Sequence, residues 1–189
     1  MADQPMIFLD MDGVLADFVG GCARAHGRES PYEHGMGRGE WDMTALWKIS
    51  DEEFWAPTNS YDFWFGLERT READAFLGLA NAIFGVENVA ILSSPSSHPE
   101  CIGAKIAWLD KYYPQFDHGK RVVFAYSKAF MAAPNRYLLD DRDKNIEEFS
   151  KAGGNAIYCP RPWNSRHAVS HVCADYVLAH MESIKEKLK

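Results

Sequence analysis

Met6-Ile7-Phe8-Leu9-Asp10-Met11-Asp12-Gly13-Val14-Leu15-Ala16-Asp17-Phe18 is the stretch on which the reading of this chain turns. Met6–Leu9 is continuous in apolar residues, as a strand covered on both faces of a parallel sheet must be. Asp10 and Asp12 leave the end of that strand, and Gly13 frees the backbone to turn. A strand that delivers two acids to a loop makes a hard-cation site and sets a nucleophile beside it. An acid pair with a glycine is also ordinary turn chemistry, so the rest of the chain has to supply the other parts.

Further apolar runs follow at residues 88–92, 121–125, 136–139 and 155–158, with helix-like segments between them. Ser97 with Glu100 forms a capping-box pattern, with Pro99 in the first turn. It opens a helix whose Ile102, Ile106, Leu109 and Tyr113 share one face and which Pro114 ends. Thr70 caps a second helix carrying Ala73, Phe76, Leu77, Ala80, Ile83 and Phe84, closed by Gly85. Asp143 caps a short helix with Ile146 and Phe149, closed by Gly153-Gly154. Val177, Met181, Ile184 and Leu188 mark a last amphipathic helix. Strand alternating with helix predicts an α/β fold with a doubly wound parallel sheet.

Residues 20–68 break this rhythm and are rich in Gly, Trp, Phe and Tyr. They lie directly after the first strand. Together with the helix that follows, they read as a helical cap, residues 20–84, inserted into a core of residues 1–19 and 85–189. Ligands of open α/β sheets bind beyond the carboxyl ends of the strands, so such an insertion would roof the site.

Three more groups fall at predicted strand ends: Ser93-Ser94, Lys128 and Asp140-Asp141. A doubly wound sheet brings all of them to the edge that carries Asp10 and Asp12. This set suits a phosphate monoester. A dianion repels a carboxylate nucleophile, and Mg²⁺ held by Asp10, the Asp12 carbonyl and Asp140 would offset that charge. Lys128 adds a cation, and Ser93 adds a hydroxyl donor. Asp10 can then attack phosphorus, with Asp12 as acid and base. Taken singly, each group has a plainer reading as a turn, a solvated lysine or a helix cap. It is their joint order that argues for a site.

Composition narrows the function. The chain has 189 residues, 47% of them apolar, enough for one packed domain with a small insertion. No segment approaches the ~20 apolar residues of a membrane span, and no secretion signal is legible. A net charge of −7 argues against a nucleic-acid polymer as partner. Cys22, Cys101, Cys159 and Cys173 form no CxxC pair and read as reduced thiols of a cytoplasmic protein. His98, His118, His167 and His171, with Cys173 nearby, match no common zinc spacing.

Asp10-Met11-Asp12-Gly13-Val14 resembles motif I of the haloacid dehalogenase (HAD) superfamily. Ile91-Leu92-Ser93-Ser94 resembles motif II, Lys128 fits motif III, and Leu138-Leu139-Asp140-Asp141-Arg142 fits motif IV. Within the superfamily the chain is most similar to the 5′(3′)-deoxyribonucleotidases, with a small C1-type cap. Tyr158-Cys159-Pro160-Arg161-Pro162-Trp163-Asn164 also resembles a family segment. The resemblance implies Asp10 as nucleophile, Asp12 as acid/base, and Mg²⁺ on Asp10, the Asp12 carbonyl and Asp140, supported by Asp141 and Arg142. It implies phosphate contacts from Ser93, Ser94 and Lys128, and Phe18 lining a sugar pocket. The cap aromatics Trp41, Trp47, Phe54, Trp55, Phe63, Trp64 and Phe65 are each either cap core or base platform, with Phe54, Trp55, Phe63 and Trp64 the expected pocket walls. The expected substrate is a nucleoside monophosphate. Another small phosphate ester, such as a sugar phosphate, or a non-catalytic nucleotide-binding role stays open, and the resemblance leaves room for a homodimer.

Overall fold

The computed structural model describes residues 4–116 and 118–188, and the side chain of His118 lies outside that description. Five strands form one all-parallel sheet among the described residues: β1 (Met6–Leu9), β2 (Val89–Ser93), β3 (Val122–Phe124), β4 (Arg136–Asp140) and β5 (Asn155–Tyr158). Their order is β3-β2-β1-β4-β5. The chain builds outward from β1 through β2 to β3, then crosses back and builds the other way through β4 to β5. The switch point therefore lies between β1 and β4, where α/β sheets open a crevice for ligand. Leu9 is in register with Ile91 on one side and Leu139 on the other, so Asp10 and Asp140 leave adjacent strands side by side.

Strand alternation separates two cores. Ile7, Leu9, Val89, Ile91 and Leu139 face one set of helices, while Phe8, Ala90, Leu92 and Leu138 face Phe149 and the other side. Both sets are buried, and that explains the nearly continuous apolar strands.

Four short helices follow β1: α1 (Phe18–Ala25), α2 (Met43–Trp47), α3 (Asp51–Trp55) and α4 (Tyr61–Phe65). Each opens on a side-chain cap, from Asp17, Asp42, Ser50 and Ser60 respectively, and Ser50 with Glu53 completes a capping box. Val19, Cys22, Tyr32, Met43 and Phe54 form a small core of their own with Trp163. The next helix, α5 (Ala73–Phe84), packs against β1, β2 and the last helix of the chain. Beyond it come α6 (Cys101–Tyr112), α7 (His118–Arg121), α8 (Asp143–Lys151) and α9 (Cys173–Lys187).

Several cap expectations are corrected. No capping box joins Ser97 and Glu100, because α6 begins later, at Cys101. Thr70 does not cap α5; its hydroxyl donates to the Val14 carbonyl at 2.5 Å and ties the start of that helix to the motif loop. Asp143 is the first residue of α8 rather than its cap, and its carboxylate accepts from Ser165. The buried face of α6 is also turned from the one expected. Ile102 is 40% exposed, whereas Cys101, Ala104, Lys105, Trp108 and Leu109 are buried.

Candidate active site

Asp10, Asp12, Ser93, Lys128, Asp140 and Asp141 are brought together at the carboxyl edge of β1, β2 and β4, as the order of the motifs predicts. Lys128 lies at the start of a short 3₁₀ turn, Lys128–Met131, and is almost wholly buried. Its Nζ sits 2.6 Å from Asp10 Oδ1 and 2.6 Å from Asp140 Oδ2. Asp140 also accepts from the Arg142 amide at 2.9 Å and from Asn145 Nδ2 at 3.1 Å. The Met11 amide donates to Asp10 Oδ1 at 2.7 Å.

Asp12 has a different partner. Lys105 Nζ donates to Asp12 Oδ2 at 2.5 Å, to Ser93 Oγ at 2.8 Å and to the Ser94 carbonyl at 3.0 Å. It also lies 5.0 Å from the centre of the Trp64 ring. This ammonium, absent from the motif reading, joins the acid of β1 to the hydroxyl of β2. Asp12 Oδ1 is buried and has no hydrogen-bond partner.

Asp141 is held from the loop after β5. Trp163 Nε1 donates to its Oδ2 at 2.6 Å, and Asn164 Nδ2 donates to its carbonyl at 2.7 Å. Arg161 Nε donates to the Gly13 carbonyl at 2.7 Å, and its Nη1 pairs with Glu72 at 2.9 Å. Gly13 has φ +77°, and a Cβ there would fall 2.0 Å from Asp141 Oδ2. Glycine at this position is thus a requirement of close approach as well as of backbone conformation.

A cleft of about 460 Å³ opens above these groups, within the usual range for small-molecule sites. Asp10, Asp12, Ser94, Asp141 and Arg142 line it from the core. Phe18, Trp41, Phe54, Trp55 and Trp64 line it from the segment between β1 and β2. Phe18 stacks on Trp64 with ring centres 5.6 Å apart. Phe63 is not among the lining residues. It packs edge-on against Phe18 and Trp64 instead, with ring centres 6.1 and 5.1 Å away. Ser93 and Lys128 lie beneath the surface of the cleft, the first of them fully buried. Tyr32, Trp163 and Asn145 line it without having been singled out for it by the sequence reading.

A sequence profile of the family described as 5′ nucleotidase, deoxy (pyrimidine), cytosolic type C protein matches residues 4–187. The chain belongs to this family. It is accordingly a HAD-type phosphatase of the 5′-nucleotidase class, a phosphoric monoester hydrolase. Solved structures agree on the fold. A haloacid dehalogenase-like hydrolase from Streptococcus pneumoniae superposes with a TM-score of 0.57 at 12% identity, over 95% of this chain and 99% of that one. A HAD hydrolase of family IA, variant 3, from Entamoeba histolytica gives 0.51 at 12% identity, over 97% and 100%. Comparison with curated protein sequences finds no match.

The family implies a divalent cation, and the residues fit one. Oxygens of Asp10, Asp140 and Asp141 lie within 4.8 Å of one another. Four carboxylates, Asp10, Asp12, Asp140 and Asp141, face two buried ammoniums, Lys105 and Lys128. When all are ionised, two negative charges are left over, and buried charge without a partner is costly. The strain shows in the titration of the site. Burial, followed by the charges of Asp140 and Asp12, pushes Asp10 up to about 7 despite Lys128. Burial and the same neighbourhood raise Asp141 well above the usual carboxylate range, against the pull of the Trp163 N–H. Burial opposes the charge on Lys128, but Asp10 and Asp140 outweigh it and raise its pKa. A hard divalent cation supplies the missing two charges and takes the oxygen ligands that are present.

Proposed function

We propose that this protein hydrolyses nucleoside 5′-monophosphates, deoxyribonucleotides among them, to nucleoside and phosphate through an aspartyl-phosphate on Asp10. The observation that carries this reading is the pair of uncompensated negative charges on the floor of a cleft with aromatic walls. The floor calls for a divalent cation, which in turn can take a phosphate oxygen as a ligand. The walls, Phe18, Trp41, Phe54, Trp55 and Trp64, suit the flat faces of a nucleoside.

Asp10, the Asp12 carbonyl and Asp140 are the proposed Mg²⁺ ligands, with Asp141 beside them. Bound Mg²⁺ supplies charge that offsets the phosphate dianion. Lys128, bridging Asp10 and Asp140, holds both carboxylates in place and opposes the rise of Asp10. An Asp10 oxygen attacks phosphorus, the bond to the nucleoside oxygen breaks, and Asp12 gives that oxygen its proton. The unpartnered Asp12 Oδ1 is suited to that exchange. Water, with its proton taken by Asp12, then attacks the phosphoaspartate and frees Asp10. Lys105, on Asp12 and Ser93, and Ser94 on the cleft wall are the proposed phosphate contacts beside Asp12. Arg142 acts on the ligand set through its amide, which donates to Asp140, while an Asp141 oxygen lies close enough to Asp10 and Asp140 to share the ion.

The four short helices after β1 form the proposed cap. The packing of α5 on β1 and β2 supports grouping it with the core and ending the proposed cap before α5 rather than at residue 84. The family description and the reduced thiols support a cytoplasmic enzyme.

Phosphate release from deoxynucleotides, ribonucleotides and sugar phosphates, measured with Mg²⁺ and with a chelator, tests the proposal. Turnover of nucleotides that the chelator abolishes is the expected result. Turnover of sugar phosphates alone would reject the nucleotide, and nucleotide binding without phosphate release would reject catalysis. Asp10→Asn is expected to abolish turnover, and parental rates in that variant would rule out the covalent step.

A further inference from the structure

We propose that Trp163 is a positioning residue for the metal site, its indole N–H setting the Asp141 carboxylate while its ring forms part of the cleft wall. The inference rests on the reading that Asp10, Asp140 and Asp141 gather around a divalent cation.

Trp163 comes from the loop after β5, on the far side of the sheet from β3. It is 8% exposed, and its Nε1 donates to Asp141 Oδ2 at 2.6 Å. The next residue, Asn164, is fully buried and donates to both the Asp141 carbonyl and the Cys159 carbonyl, at 2.7 and 2.9 Å. One loop thus grips Asp141 by backbone and by side chain. With Oδ2 engaged by the indole, Oδ1 is the freer oxygen of this carboxylate. Gly13 bears on the same oxygen, where a Cβ would fall 2.0 Å from Oδ2. Motif loop and indole therefore both limit where this carboxylate can sit.

The other edge of Trp163 faces the segment after β1. Its ring centre lies 5.4 Å from that of Tyr32, inside the cluster of Val19, Cys22, Met43 and Phe54. It also lines the cleft. One side chain consequently touches the cap core, the substrate space and a metal-site carboxylate. A ligand held in one orientation loses less freedom on binding a cation, and partners of this kind are worth roughly 10–100-fold in metal affinity.

Trp163→Phe keeps most of the ring and removes the donor. Calorimetric titration with MgCl₂ is expected to show Mg²⁺ binding weakened on the order of 10–100-fold relative to the parent. The Mg²⁺ concentration that gives half-maximal turnover should rise by a similar factor. In an Asp141→Asn background the same change should add no further loss, since the indole acts through that carboxylate. Mg²⁺ affinity equal to the parent's, or a loss that adds in full to that of Asp141→Asn, would overturn the role of Trp163. A parent that binds no Mg²⁺ would overturn the metal reading beneath it. One measurement needs no variant to fold. In parent protein labelled with ¹⁵N-tryptophan, which has 6 Trp, an indole N–H signal should move as Mg²⁺ is added. A titration that moves none of them would overturn the proposal as well.

Discussion

Lys105 donates to Asp12 across 2.5 Å although 93 residues separate them in the chain. The lysine is 1% exposed, and it holds Ser93 Oγ and the Ser94 carbonyl as well. Charge placed in advance beside a phosphate is the largest contribution to such reactions, and removing one donor costs on the order of 10²–10³ in turnover. Lys105→Met fills similar space without charge and should lower kcat by about that factor. Steady-state phosphate release, with circular dichroism to verify folding, measures it. A folded variant within threefold of the parent would show that Lys128 alone carries the charge.

The fold was legible because parallel strands buried on both faces leave unbroken apolar runs. All five runs became strands, and Asp10, Ser93, Lys128 and Asp140 met where the switch point put them. The motif pattern does not mark Lys105, because Ile102 and Ile106 point to a different face of α6. The signal was present. Cys101, Lys105 and Trp108 stand at helical spacing, so a lysine sits in the middle of an apolar stripe. The segment between β1 and α5 is hard to read for a different reason. Its helices α2, α3 and α4 are five residues each, too short for periodicity to show, and only their capping residues mark them. Phe63 and Trp64 are sequence neighbours, and nothing in their order says that only the second lines the cleft.

Gly13→Ala tests the close packing under Asp141. The residue has φ +77°, and a methyl group would meet Asp141 Oδ2 head-on. Left-handed backbone alone costs a non-glycine residue on the order of 1–3 kcal/mol. For a chain of this length that lowers Tm by roughly 2–12 °C. Differential scanning calorimetry should record this loss, together with weaker Mg²⁺ binding. A variant melting with the parent would mean that the loop and Asp141 yield freely.

Metal and pH should act on the same charges. Asp10 sits at about 7 in the folded protein against an ordinary value of 3.8. Between these values the folded chain keeps a proton that the unfolded chain has released. Stability contributed by this group therefore falls as pH rises from about 4 to about 7 in metal-free protein. Asp10→Asn should lose that part of the slope, so the difference between the two stability curves isolates it. Mg²⁺ favours the ionised carboxylates, and it should raise Tm more at pH 8 than at pH 5. At 100 times its Kd a ligand of the folded state contributes about 2.7 kcal/mol. Equal Mg²⁺ shifts at both pH values would dissociate the cation from these acids.

Arg142 and Trp41 meet at the wall of the cleft. The guanidinium carbon of Arg142, next to Asp141, lies 4.9 Å from the centre of the Trp41 ring, which precedes α2. Both residues line the cleft, and Trp41 is 38% exposed. A cation over an indole contributes about 0.5–2 kcal/mol, depending on how far it is desolvated. Since the pair joins the core to the segment after β1, its loss should loosen the hold on bound substrate more than it slows the chemistry. Trp41→Ala is expected to raise KM by roughly 2–30-fold, the range that this energy spans, with a smaller change in kcat. Arg142→Ala should do the same if the contact is what matters, and the double variant should be no worse than either single one. A fall in kcat with KM unchanged in Arg142→Ala would instead tie the guanidinium to the reacting groups rather than to the hold on substrate.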